Sequence, residues 1–463
     1  MPERLFVSPE VSAAVADSRI SGSSGSFFSG VSIDTRTIRP GDLYVAIIGK
    51  RFDGNDFVAQ AFERGAAGAV VSRWPLTGEA GFSNRPVWKV EDTQSALGRL
   101  ALFHRERFKI PVIAVTGSAG KTTTKEMLHW AIFSPREVLA TEGTQNNLIG
   151  VPLTLFKLGS FHRAAVVEMG TNRWGEIGAL TKIARPTVGV ITNIGPAHLE
   201  TFGDLQGVLR AKGEMWEAMD SRGTLVLNGD DPFLAVAGKH LPHKVVWFGS
   251  CSGALVRVSE IVQEPWGTTS LINGRWRMRL AVPGRHNLMN ALAALTCAVV
   301  LGADISAFVE RLVTFEAVQG RTAVVEMDGC FVIDDSYNAN PTSLKAALDV
   351  LRRAECRGRR IAVIGDMLEL GPRAGLFHEE AGRWMVESRV DFLVTVGTLS
   401  RQLAESAEKD GLSSEAVRSF DRPDEAREFL AKVIQPGDTI LLKGSRGMQM
   451  ERVLPCSTTS SIH

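Results

Sequence analysis

The stretch Thr116-Gly117-Ser118-Ala119-Gly120-Lys121-Thr122-Thr123-Thr124 carries the residue types that handle phosphate. Glycines at 117 and 120 let backbone N–H groups close on an anion. A helix beginning just beyond adds the positive end of its dipole, and Lys121 can reach phosphate oxygens. Thr122 would offer its hydroxyl to Mg²⁺. The spacing is Gly-x-x-Gly-Lys-Thr and not the longer Gly-x-x-x-x-Gly-Lys-Thr, because Val115 stands where the first glycine would be. An ordinary strand–helix turn shares part of this pattern; the β-branched run before it and the Lys-Thr pair favour nucleotide phosphate binding. Two more candidates stand at the ends of apolar runs, Glu168 after residues 164–167 and His198 beyond residues 188–192. In open parallel sheets ligands bind past the carboxyl ends of the strands, so Thr122, Glu168 and His198 are expected in one crevice. A hydroxyl, a carboxylate and an imidazole there suit divalent cations holding nucleotide phosphates, although a single His or Glu at a strand end is also a common surface or capping residue.

These residues need strands and helices behind them, and the chain supplies three α/β units, expected at 1–108, 109–316 and 317–463. In the first, residues 21–30 are Ser/Gly-rich and read as a flexible loop. Strands are expected at 43–48 and 66–72, with an amphipathic helix at 57–65 between them. Arg36, Lys50 and Arg51 lie on its loops, where cations suit a phosphorylated ligand or are simply solvated. In the second unit, residues 111–116 read as a buried parallel strand and a helical pattern sets in from Lys125. Lys212 falls in a helical Ala-Lys-Gly-Glu, where an exposed lysine is the ordinary expectation. His286, Asn287 and Asn290 stand near the start of an apolar helix at 291–301; their amides can read a base edge or cap the helix. In the third, strands at 330–334, 360–365, 392–397 and 439–442 alternate with helices, which implies a parallel sheet. Asp366, Glu369, Lys443 and Arg446 follow two of those strands, and residues 456–463 read as a disordered polar tail.

Composition narrows the classes. The 463 residues are 44% hydrophobic and 22% charged, ordinary for a globular protein, with ample length for a core. A net charge of +1 and the absence of basic runs interleaved with aromatics argue against nucleic acid. The five cysteines are scattered without a Cys-x-x-Cys, which points to a reducing compartment and away from zinc or a disulfide frame. There is no secretory signal pattern, and the apolar stretch at 291–303 is too short to span a bilayer, so a cytoplasmic location and no membrane insertion are expected.

Taken in order, these segments resemble the Mur ligases over nearly the whole chain, most closely the MurF type. The motifs are Ser32-Ile33-Asp34-Thr35-Arg36 with Gly41-Asp42-Leu43, the phosphate turn itself, and Asn146-Asn147-Leu148-Ile149-Gly150. With them come Glu168-Met169-Gly170-Thr171-Asn172, Asp334-Asp335-Ser336-Tyr337-Asn338-Ala339-Asn340 and Gly365-Asp366-Met367-Leu368-Glu369-Leu370-Gly371. The Asp-Asn-Pro-Arg signature of diaminopimelate-adding MurE enzymes is missing. The resemblance implies a small α/β N-terminal domain for the UDP-linked substrate and a central P-loop ATPase-like parallel sheet with helices on both faces. It implies a Rossmann-like C-terminal domain that closes on ATP and takes the incoming dipeptide. The implied activity is ATP-dependent ligation of D-alanyl-D-alanine to UDP-N-acetylmuramoyl-tripeptide through an acyl phosphate, in cell-wall precursor synthesis, by a monomer.

By the same resemblance, Gly117, Ser118, Ala119, Gly120, Lys121, Thr122 and Thr123 hold the phosphates, with Lys121 on the β/γ pair. Two Mg²⁺ ions are implied, one on Thr122 and Glu168, one on Glu168 and His198, with a carbamylated Lys212 as a further anionic ligand. His286, Asn287 and Asn290 would lie along adenine, Arg321 near the phosphates, and Asp335 on the ribose beside Tyr337 and Asn338. Asp34, Thr35, Arg36, Asp53, Asn146 and Asn147 would serve the UDP substrate, and Asp366, Glu369, Lys443 and Arg446 the dipeptide. A MurE-type or folylpolyglutamate-synthase-like ligase is the alternative within the superfamily, and the Asp34-Thr35-Arg36 segment disfavours the second. A nucleotide-gated binding protein is the alternative outside it.

Overall fold

The computed structural model describes residues 5–16, 18–21, 25–74, 85–454 and 460–461. Among the described residues three large sheets run along the chain, with a two-stranded ribbon near its start. The first has five strands in the order Arg19–Ser21, Val87–Lys89, Gly68–Val71, Asp42–Val45, Gly30–Ser32, parallel except for the first pair. Leu43, Val45, Val70 and Trp88 are fully buried there, and the helix Thr93–Arg105 buries Leu97 and Leu100 with them.

The second sheet has nine strands. Its parallel part runs Val138–Ala140, Ala164–Glu168, Val112–Thr116, Val188–Ile191, Thr224–Asn228, Lys244–Gly249, and an antiparallel extension over 256–280 completes it. Val112–Thr116 is buried at every position, as a strand covered on both faces by helices must be. It lies between Ala164–Glu168, which follows it by two helical crossovers, and Val188–Ile191, which follows by three, so the strand order reverses at its carboxyl end. That reversal opens a crevice. The third sheet is ordered Val417–Phe420, Phe392–Val396, Arg360–Gly365, Thr439–Lys443, Cys330–Asp335, Ala323–Met327, Ser460–Ser461, parallel over its first five strands. One buried apolar cluster includes Val112, Val167 and Ile191 of the second sheet with Ile333, Ile364 and Leu441 of the third, so these two units share a core.

Several boundaries differ from expectation. The phosphate helix starts at Lys121 and not at 125: Gly120, left-handed at φ +82°, turns the chain into it, and Thr124 N already donates to Gly120 O at 2.9 Å. The apolar helix begins at Arg285, six residues before its hydrophobic run. The Ser/Gly-rich stretch is not a loop throughout: Phe27–Phe28 pairs with Phe6–Val7, buried Phe28 packs on Trp88, and Gly30 opens a strand. Residues 22–24 of it lie outside the described residues. Of the tail expected to be disordered, Ser460–Ser461 pair with Ala323–Met327, and residues 456–459, 462 and 463 lie outside the described residues. The four described cysteines are unpaired thiols. Among the described residues, no helix is long and apolar enough to cross a membrane.

Candidate active site

A cavity of about 600 Å³ opens past the carboxyl end of Val112–Thr116 and is walled on its far side by the third sheet's loops. The turn at its floor is held tightly. Ala119 N donates to Asn193 Oδ1 at 3.0 Å, while Asn193 Nδ2 and Thr192 Oγ1 donate to Ala119 O at 3.1 and 2.6 Å. Ser118 Oγ donates to Gly195 O at 3.0 Å. Gly120 has φ +82°, and a Cβ there would stand 2.1 Å from Asn290 Oδ1. At Gly117 a Cβ would stand 1.9 Å from Thr192 Oγ1. The two glycines are therefore required by close approach as well as by backbone angle. The amides of the first helical turn, Lys121 to Thr123, have no acceptor within the helix and point the positive end of its dipole at the cavity.

Lys121, Glu168, His198 and Lys212 all line this cavity. Lys121 Nζ donates to Gly117 O at 2.8 Å. Loss of water pushes its pKa below the ordinary lysine value, opposed by Glu168 and reinforced by Arg321. Glu168 is 1% exposed; Oε1 accepts from Asn146 Nδ2 at 2.8 Å, and Oε2 is buried with no partner. Thr122 does not itself line the cavity, although its neighbours Lys121 and Thr123 do, and its buried Oγ1 also lacks a partner. Two orphaned oxygens, one anionic, beside a phosphate turn are the hard donors a Mg²⁺ ion takes. Among the described residues no three His, Cys, Asp or Glu side chains gather as a ready-made metal cage. The residues thus fit an ion that completes its shell from phosphate and water.

Lys212 overturns the expectation of an exposed lysine. It is 2% exposed on the helix Leu205–Ala218, and no hydrogen bond or ion pair engages its ammonium among the described residues. Burial, then repulsion from Lys121, push its pKa well below 10.5. His198 Nδ1 lies 2.5 Å from Glu369 Oε2, and this contact holds the Glu369 carboxyl below its ordinary value.

The third unit supplies the opposite wall. Tyr337 donates its hydroxyl to Thr144 Oγ1 at 2.7 Å, and the guanidinium groups of Arg321 and Arg446 lie 4.1 and 5.6 Å from its ring centre. Asn340 Nδ2 reaches Ser118 O at 3.4 Å. Asp335 is paired with Lys443, whose Nζ also donates to Asn338 O at 3.0 Å. His286 Nε2 is 3.3 Å from Thr322 Oγ1, and burial lowers its pKa, with Asp335 opposing. Asn290 Nδ2 donates to Asn287 Oδ1 at 3.3 Å and Asn287 Nδ2 to Pro283 O at 2.8 Å, so both amides are partly spent within the protein. With Asp335 and Lys443 neutralising each other, Lys121 and Arg321 are cations of the cavity wall that suit a polyphosphate, and Glu168 beside them suits the divalent ion that would accompany it.

Some residues read from the sequence stand elsewhere. Asp366 is outside the cavity wall; its carboxylate accepts from Thr398 N at 3.1 Å and Ser400 N at 2.7 Å. Lys443 lines the cavity but is buried, its charge is met by Asp335, and two of its three ammonium protons go to Asp335 and Asn338 O. Asp34, Thr35, Arg36 and Asp53 belong to the first unit and do not line the cavity. Asp34 and Arg36 pair at 2.6 Å, which pulls the Asp34 pKa down to about 2. Thr35 Oγ1 donates to Gln60 Oε1 at 2.7 Å, and Asp53 caps Asn55 while meeting Arg73 at 3.3 Å. Asn146 and Asn147 do line the cavity, Asn147 Oδ1 accepting from Gly150 N at 2.8 Å. Sequence reading missed Asn193, whose strand-end position could have exposed it, and Thr144, which no pattern marks.

Against known proteins, the chain matches the models "Mur ligase family, catalytic domain" over residues 28–105, "Mur ligase middle domain" over 115–298 and "Mur ligase, glutamate ligase domain" over 320–446. It is 34% identical over 427 residues to the UDP-N-acetylmuramoyl-tripeptide--D-alanyl-D-alanine ligase of Bacillus subtilis (strain 168), covering 92% of each chain. The crystal structure of MurF from Acinetobacter baumannii superposes with a TM-score of 0.87 at 34% identity, covering 98% of both chains. That of MurF ligase from Thermotoga maritima in complex with ADP gives 0.80 at 29% identity, covering 91% of this chain and 95% of that one.

Proposed function

This chain belongs to the Mur ligase family, and from that premise we propose that it joins D-alanyl-D-alanine to UDP-N-acetylmuramoyl-tripeptide at the expense of ATP. The product serves peptidoglycan precursor synthesis, which places the enzyme in the cytoplasm, and we take it as a monomer. The observation that carries the reading is the convergence of Lys121, Glu168, His198 and Lys212 on one cavity that the third unit completes.

A carboxylate resists amide formation because its leaving group would be oxide. Transfer of the ATP γ-phosphoryl group to the tripeptide carboxylate makes an acyl phosphate; the dipeptide amine then attacks, and the tetrahedral intermediate expels phosphate. Phosphoryl transfer asks for alignment and charge neutralisation more than covalent help. Here the first-turn amides and Lys121 hold the β/γ phosphates against the dipole of the helix Lys121–Ala131. Thr122, Glu168 and His198 would hold Mg²⁺, which when bound neutralises phosphate charge. Arg321 faces the phosphates from the third unit, and His286, Asn287 and Asn290 line the adenine side. Docking of the third unit excludes water from the acyl phosphate, which would otherwise hydrolyse.

Lys212 is best read as carbamylated. A buried ammonium facing Lys121 repels cations, whereas its carbamate is an anion with two oxygens for a hard ion. Residues 1–108 would take the uridine nucleotide, with Asp34, Thr35 and Arg36 beside it, and residues 109–316 the ATP. Residues 317–463 would take the dipeptide, with Arg446, half-exposed and paired with Glu451 at 2.6 Å, the side chain whose remaining donors suit its carboxylate. The test is ADP release by purified protein across a substrate panel. Release that needs both UDP-tripeptide and D-Ala-D-Ala is expected. Equal release with free amino acids or with folate substrates would select another ligase, and release indifferent to any amine would select the binding-protein alternative.

A further inference from the structure

Glu369 and His198 come from different sheets and meet at the rim of the same cavity. His198 follows Val188–Ile191 of the second sheet and has φ +53°; Glu369 follows Arg360–Gly365 of the third and has φ +63°. Neither is glycine, so each holds a left-handed conformation against its own preference, which persists only where surroundings over-determine it. The backbones are joined as well: Glu200 N donates to Glu369 O at 3.2 Å. Nearby, Gly371 at φ +60° packs so closely that a Cβ would lie 3.1 Å from Glu200 Cα. At the centre of this clasp Glu369 Oε2 lies 2.5 Å from His198 Nδ1, an ion-pair contact out of line for a hydrogen bond, and neither ring nitrogen makes a hydrogen bond among the described residues.

A neutral imidazole has one N–H and one lone pair. A carboxylate against Nδ1 favours the proton on that nitrogen by its charge and so favours the lone pair on Nε2. A surface ion pair of ordinary kind would need neither strained backbone nor a second backbone bond. We propose that Glu369 is a positioning residue for His198: supplied by the third unit, its carboxylate fixes the ring so that Nε2 serves as a cation ligand, and the ligand set is complete only when the third unit is docked. The proposal rests on reading His198 as a metal ligand of the ligase. It also removes Glu369 from the residues that grip the dipeptide, because Oε2 is already engaged.

The test uses the full chain with a non-hydrolysable ATP analogue and Mn²⁺ in place of Mg²⁺, free ion being followed by electron paramagnetic resonance. Neither peptide substrate is present, so an error in the assigned ligation substrates leaves the readout unmoved. Glu369→Ala is expected to weaken Mn²⁺ binding about 10- to 100-fold, the usual consequence of deleting a carboxylate behind a ligating histidine. Glu369→Gln, which keeps a hydrogen-bond acceptor but no charge, is expected to fall between Ala and wild type. His198→Ala is expected to weaken binding too, and the double variant His198→Ala with Glu369→Ala to be no weaker than His198→Ala alone, because Glu369 acts through the ring. Wild-type Mn²⁺ binding in Glu369→Ala, or losses that add in the double variant, would overturn the proposal. Wild-type binding in His198→Ala would overturn it as well, by removing the histidine from the ligand set.

Discussion

Replacing Lys212 with methionine should stabilise the fold while it abolishes ligation. The side chain is 2% exposed and its ammonium has no partner among the described residues, with Lys121 the nearby charge acting on it. Burial pushes its pKa well below 10.5, so the folded chain binds fewer protons at this position than the unfolded chain does. Stability therefore rises with pH between the folded pKa and 10.5 and is most depressed below that window. Methionine keeps the apolar stem and discards the charge. Exchanging buried charge for an apolar side chain of similar volume is worth about 1–4 kcal/mol, and about 2 kcal/mol in a cooperative unit of roughly 200 residues raises the melting midpoint by about 4–8 °C. The assay is thermal unfolding of both proteins in CO₂-free buffer from pH 7 to 10. The midpoint of Lys212→Met should lie above wild type at pH 7, and the gap should narrow as pH approaches 10. Bicarbonate should then raise the midpoint of wild type alone, because a carbamate exchanges repulsion from Lys121 for attraction. A methionine variant that melts at or below wild type at pH 7, or a gap that widens with pH, would refute the picture of an unpaired buried ammonium. A bicarbonate effect shared by both proteins would refute the carbamate.

Glu168→Gln should keep the fold and the Asn146 contact but leave the second oxygen site uncharged, lowering ligation kcat by about 10³-fold, the scale of losing one preorganised electrostatic group; steady-state rates at saturating ATP check it. Gly120→Ala should cost about 1–2 kcal/mol for the left-handed backbone and push the new methyl onto Asn290, weakening an ATP analogue by about tenfold or more in calorimetry. Acid should destabilise the native chain through His104, which is buried and held at about 4 against an ordinary 6.5. Because the folded pKa is the lower one, stability is lost as pH falls from 6.5 to 4, by about 3 kcal/mol at about 1.4 kcal/mol per pH unit; urea midpoints should show that slope in wild type and not in His104→Gln. Lys125→Met should destabilise by about 3 kcal/mol, since fully buried Nζ donates to Thr141 O at 2.6 Å and Gly143 O at 3.3 Å and both would lose it. Its ATP affinity should also fall, because those carbonyls anchor the loop that carries Thr144 and Asn146.

What could be read from the chain alone was chemistry made locally. Gly117, Gly120 and Lys121 act through one turn between one strand and one helix, and that arrangement is encoded within a dozen neighbouring residues. Glu168 and His198 were nominated by the same logic, and both line the cavity, since a strand in a parallel sheet delivers its last residues to the ligand edge whatever its partners are. The alternation of strands and helices similarly marked three units without specifying strand order. Contacts made by docking one unit on another left no such trace. Tyr337 and Thr144 are 193 positions apart, and nothing in either neighbourhood names the other. The same blindness explains Lys212, whose helix pattern cannot reveal that Lys121 will face it, and Lys443, a strand-end lysine that looked free for substrate until Asp335 of the adjacent strand neutralised it. Asp366 failed differently: a carboxylate at a strand end is equally suited to binding a ligand or to satisfying the backbone amides of the next turn, and here Thr398 and Ser400 take it. Position at a strand end therefore nominates a residue, but only its remaining unsatisfied atoms decide its use. By that measure Glu168 Oε2, Thr122 Oγ1, His198 Nδ1 and the Lys212 ammonium are the groups at this site left without a hydrogen bond for something it must bind.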